Sequence, residues 1–130
     1  MTYLHPATVH FPLALLLAGS LIELLARPES PWRASAGHML LLGWWGAVAA
    51  ALAGMLDAGL RWERTQELLG WVNGHGLAGL AIVAVYWRLT LGRRQSEPAR
   101  RRWLAAGVGL LLLTGWLGGH LVYGLGWAER

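Results

Sequence analysis

Four apolar runs, each near the length a helix needs to cross a bilayer and each closed by a short polar connection, leave this chain few ways to fold. A hydrocarbon core of about 30 Å takes about 20 helical residues. The runs cover 7–26, 38–60, 75–91 and 103–123, the third being the shortest. Only Ser20 and Glu23 interrupt the first. Between them lie RPESPWRASAG (27–37), RWERTQELLGWVNG (61–74) and GRRQSEPARRR (92–102), rich in the prolines, arginines and acids of water-exposed turns. Lipid offers backbone groups no partner, so each run must satisfy its own hydrogen bonds as a helix. The expectation is an all-α integral membrane protein: one domain, an antiparallel four-helix bundle. Arg61–Leu69 is expected to form at most a short amphipathic helix on the surface.

Composition narrows the chemistry. Hydrophobic residues make up 55% of the chain and charged residues 14%, well below a soluble domain's share of about a quarter. Cysteine is absent, which excludes disulfides, thiol catalysis and cysteine-held iron–sulfur clusters. The net charge of +4 reads as the flank of membrane helices and not as a nucleic-acid surface. The N-terminus lacks a basic region and a small-residue cleavage site, so the first run is expected to remain in the mature chain.

Arginine asymmetry orients the spans. Arg27, Arg33, Arg88, Arg93, Arg94, Arg100, Arg101 and Arg102 fall on one side, and Arg61, Arg64 and Arg130 on the other. Positive charge stays in the cytoplasm. Both termini and the middle connection are therefore expected on the outer, periplasmic side of a bacterial inner membrane. Tyr3, Trp62, Trp71, Tyr123 and Trp127 would then mark the outer interface, and Trp32, Trp87 and Trp103 the inner one. Gly46, Ala50, Gly54 and Ala58 form a small-residue stripe on the second helix, with Gly107, Gly115 and Gly119 on a related row of the fourth. Such stripes serve helix–helix contact or the close approach of a flat cofactor.

The histidines carry the sharpest signal. His5, His10, His75 and His120 all fall at the outer ends of their segments, so antiparallel spans bring them to one depth. His38 sits apart at the other end and reads as an interfacial hydrogen bonder. Neutral imidazoles satisfy one another poorly in hydrocarbon, and a metal supplies the missing partner. A hydrogen-bonded structural cluster is the competing reading. His5 and His10 stand about 140° apart on a helix, so they face different ways and one ion does not take both. Paired axial histidines across a bundle are the pattern of haem b, and two such sites are expected. No HxxxH or HExxH pair is present, against a zincin-like protease.

Other residues at that level suit haem without requiring it. Gly115, Gly118 and Gly119 thin the fourth helix beside His120, and Trp116 and Phe11 are placed to pack on a porphyrin or simply in a core. Arg61 and Arg64 can pair with haem propionates, or with Glu63 and Glu67. Asp57 is the one acid deep in the second helix. It is expected to accept a ligand histidine's other ring N–H, with a protonated, hydrogen-bonded carboxyl or a proton relay as the alternatives. Glu23 is expected to pair with Arg27 one helical turn on.

HPATVHFPLALLL (5–17) and GWLGGHLVYGLG (115–126), with AALAGMLDAG (50–59) and NGH (73–75) between them, resemble the signatures of a bacterial membrane family known as domain of unknown function 2231. The resemblance covers essentially the whole chain and implies a small four-helix inner-membrane protein. Some members of that family are joined to a Rieske-type iron–sulfur domain, which implies electron transfer. By that resemblance, and by likeness to b-type cytochromes, His5, His10, His75 and His120 are the candidate haem ligands. The family's ending carries more basic and polar residues after GGxLVY, where this chain has GLGWAER.

The leading expectation is thus a minimal membrane cytochrome b. It would hold two bis-histidine b haems and carry electrons between a quinone or membrane dehydrogenase and an outer carrier, a Rieske-type or other redox protein. A zinc or copper protein using the same histidines is the second reading. A structural or assembly subunit of a membrane complex is the third. A homodimer would bury the exposed glycine faces. No serine nucleophile stands beside a base, so hydrolysis is the weakest option.

Overall fold

The apolar runs mark where each helix crosses lipid, not where it ends. A computed structural model describes residues 4–127. Its helices are α1 (Leu4–Leu25), α2 (Trp32–Leu60), α3 (Trp62–Glu67), α4 (Leu69–Thr90) and α5 (Glu97–Gly119), followed by a π-helical turn, His120–Gly124. The structure starts α2, α4 and α5 well before the expected 38, 75 and 103. The reason is cooperativity: once a span is helical, adjoining polar residues extend it at little cost. At α5, Pro98 in the first turn needs no N–H partner, and Glu97 complements the helix dipole. This winds Arg100, Arg101 and Arg102 into the helix.

α1, α2, α4 and α5 are long and apolar enough to cross a membrane. Only 22% to 28% of the apolar window in each is buried within the chain, so most of its apolar surface faces outward to lipid. Around the bundle α1 packs on α2, α2 on α4, α4 on α5, and α5 back on α1. α1 therefore faces α4 across one diagonal. Neighbouring spans run antiparallel, which gathers His5, His10, His75 and His120 at one end and His38 with most arginines at the other.

Close packing drives helix association in lipid, and glycine makes it possible. On α2, Gly43 receives Leu16, Gly46 receives Pro12 and Gly54 receives His5, while Gly19 of α1 receives Leu40. The α2 stripe is thus used for helix–helix contact along its length. Pro12 removes one N–H from the interior of α1. On α5, Gly107 receives Tyr86, but Gly115 and Gly119 face open space. Leu16, Leu40, Trp44, Ile82, Tyr86 and Leu104 are at the centre of the core.

Several polar groups inside are paired across the bundle. Ser20 Oγ and Tyr86 Oη lie 2.8 Å apart, and Trp44 Nε1 donates to Val83 O at 3.0 Å. Glu23 is 4% exposed and accepts two hydrogen bonds of 2.7 Å from Nε and Nη2 of Arg100. The expected Glu23–Arg27 pair is therefore corrected. α1 ends at Leu25, leaving Arg27 exposed in the turn, while the early start of α5 carries Arg100 to Glu23. Trp127, expected at the interface, is instead buried: Gly126 at φ 61° turns the chain so that Trp127 N–H reaches Leu121 O. Tyr3 and Arg130 lie outside the described residues.

Replacing Arg100 by methionine strands a buried carboxylate. We expect a loss of about 3–5 kcal/mol of stability in detergent unfolding. The double variant Glu23→Gln/Arg100→Met should recover most of that loss. Equal stability of R100M and the parent would refute the pairing.

Candidate functional site

Of the four histidines expected at one level, the fold brings two together. His5 opens α1 and His75 lies in the second turn of α4, so they meet across the bundle diagonal. Their Nε2 atoms are 3.5 Å apart and the rings are nearly perpendicular, at 79°. Both residues are half-buried.

Each imidazole is held from behind. His5 Nδ1 lies 2.7 Å from Ala50 O. A carbonyl only accepts, so Nδ1 carries the proton. The neutral ring then turns a bare Nε2 lone pair towards His75. Gly54 lies against the His5 ring: a Cβ there would stand 3.0 Å from Nδ1. Gly118 does the same for His75, at 2.9 Å from Cε1. The glycines beside both rings are thus occupied by the imidazoles themselves. His75 Nδ1 and Thr114 Oγ1 are buried without a hydrogen-bond partner among the described residues.

Asp57, 2% exposed, does not take a ring N–H as expected. Its Oδ2 accepts the main-chain N–H of His5 at 3.0 Å. The ring proton is already committed to Ala50, and the first-turn N–H groups of α1 lack helical partners. A carboxylate there meets both that need and the helix dipole. Asp57 therefore fixes the start of α1, and through it the position of His5.

His10 and His120 stand apart from this pair. His10 is exposed on another face of α1, as its five-residue offset from His5 dictates. His120 is packed between Trp71, at 4.8 Å, and Trp116, which stacks on it at 5.8 Å and 8°. Gly124, in the π-helical turn, lies against the His120 ring. Phe11 is 62% exposed. Arg64 is engaged by Glu67 and by the carbonyl of Leu125, and Arg61 stacks over Trp127 at 5.3 Å. His38 Nδ1 bonds to Ala34 O within α2. Among the described residues no group of three metal-binding side chains assembles. Ala50, Trp71 and Thr114 were not singled out as ligand-supporting from the sequence, whereas Gly118 was, but beside His120 and not His75.

The fold and this site define a small four-span membrane bundle with a histidine pair across its diagonal at one end. The chain belongs to the family described as predicted membrane protein DUF2231, whose model matches residues 2–129. No curated protein and no solved structure matches it.

The Ala50 contact fixes a tautomer, and nitrogen NMR of histidine-labelled protein reads it directly. The His5 resonances should be those of the Nδ1–H tautomer, with an unprotonated Nε2. An Nε2–H signal for His5 would contradict the geometry. Gly118→Ala should shift the His75 resonances and leave those of His38 unchanged.

Proposed function

We propose that this protein is a membrane electron carrier of the cytochrome b type, with His5 and His75 as the axial ligands of one b haem. The observation that carries the reading is the pair itself: two imidazoles from facing helices, one with its lone pair held free and directed at the other. The donor set suits haem. A porphyrin supplies four of the six iron ligands, so two imidazoles complete the shell. Zinc generally takes three or four protein ligands, and no third joins this pair among the described residues.

A bound haem there would supply one-electron transfer, both axial positions being filled. The chain's own residues do the rest. Ala50 O holds the His5 tautomer, Asp57 anchors the helix that carries it, and Gly54 and Gly118 let both rings approach the backbone. Trp71, Trp116 and His120 form an aromatic group at the same end, towards the carrier side. In this reading the arginine-rich end faces the cytoplasm of a bacterial inner membrane. Electrons pass between a quinone or membrane dehydrogenase and a carrier, Rieske-type or other, at the histidine end. A second haem on His10 and His120 has no comparable geometric support.

The second reading, a bare zinc or copper ion, rests on the spacing. An Nε2 separation of 3.5 Å matches two ligands on one tetrahedral ion, whereas two imidazoles across an iron stand about 4 Å apart. Ligand number outweighs this, because a shift of about half an ångström is cheaper than two missing ligands.

Haem-replete expression separates the two. We expect a Soret band and a pyridine-haemochrome signal at about one haem per chain, lost in His5→Ala and His75→Ala and retained in His10→Ala. Stoichiometric zinc or copper without iron would select the second reading. Protein without haem or metal would remove both.

A further inference from the structure

The opposite end of the bundle holds a polar pocket between the first turns of α2 and α5 and the end of α4. Arg33, Arg93, Arg94 and Arg100 line it, against Glu23 and Glu97. The two acids are spent: Glu23 on Arg100, and Glu97 on Arg33 through Nη2 at 2.9 Å. Arg93 and Arg94 are exposed and pair with no acid among the described residues. The other terminal nitrogen of Arg33, Nη1, is buried without a hydrogen-bond partner among the described residues, on a side chain only 15% exposed. A buried guanidinium N–H left unmatched is costly. Gln95 adds an acceptor: its Nε2 donates to Arg88 O, which leaves Oε1 buried and unmatched in the same pocket.

The geometry points to an anionic phospholipid headgroup as the occupant of this pocket. Its phosphodiester takes the exposed guanidinium groups of Arg93 and Arg94, at the mouth of the pocket whose wall holds Arg33 and Gln95. Planar guanidinium groups suit phosphate oxygens. The depth argues for lipid over a soluble anion. Trp32, Trp87 and Trp103 are exposed at this end, at 67%, 51% and 40%, where an interfacial belt meets the headgroups. Basic pockets between spans are suited to such lipids. The site is independent of the histidine pair and stands whatever that pair binds.

Native mass spectrometry of the full chain in an uncharged detergent tests it. Phosphatidylglycerol, phosphatidylcholine and inorganic phosphate are titrated separately. Phosphatidylglycerol should bind as one retained molecule, at least tenfold tighter than phosphatidylcholine. The double variant Arg93→Gln/Arg94→Gln should weaken it about thirtyfold, with unfolding in lipid-free detergent unchanged. Arg102→Gln, exposed and outside the pocket, should weaken it less than threefold. Equal binding of both lipids, or equal losses in the double variant and in R102Q, would overturn the site. Inorganic phosphate competing at the same concentration as the lipid would replace it with a soluble-anion site.

Discussion

Every polar side chain that these helices carry towards the membrane interior has to be satisfied inside the bundle, because lipid satisfies none of them. That requirement selects the arrangement of the spans. Ser20 finds Tyr86, Glu23 finds Arg100, and Asp57 finds the main chain of His5, each joining two helices through residues far apart in sequence. Glycine lets the backbones come close enough for these pairs to form. At Gly43, Gly46 and Gly54 of α2, α1 inserts Leu16, Pro12 and His5.

The histidine pair is one place where that bookkeeping stays open. His5 spends its one ring proton on Ala50, and its second nitrogen faces another nitrogen. Either His75 donates a long hydrogen bond and leaves its buried Nδ1 bare, or both lone pairs face one cation. The first choice moves the deficit from one nitrogen to the other, since Nδ1 has no hydrogen-bond partner among the described residues. The second gives both Nε2 atoms a partner and leaves only the Nδ1–H of His75 to be satisfied. This asymmetry underlies the electron-carrier reading and explains why it centres on two of the four histidines.

The four spans, their antiparallel order and the histidine level were legible in sequence because hydropathy and spacing act locally. Partner choice was not. Glu23 had a plausible neighbour in Arg27, but the pair depends on where α1 stops and α5 starts, which the apolar runs do not mark. Asp57 was legible as a buried carboxylate beside the site, yet its target, a main-chain N–H of another helix, has no sequence signature. The five-residue spacing separated His5 from His10, but nothing local told which of them faces inward. That depends on α1 packing its Pro12 and Leu16 face onto α2. Trp127 shows the same limit: an aromatic near a chain end reads as an interface anchor, and one positive-φ glycine turns it into the core.

X-ray absorption at the metal edge of protein purified after haem-replete expression bears most directly on the central claim. Iron with two imidazole nitrogens and four pyrrole nitrogens, at about 2 Å, is expected, and His75→Ala should abolish that shell. Protein whose His5 and His75 remain unligated, or iron whose imidazole shell survives that substitution, would contradict it.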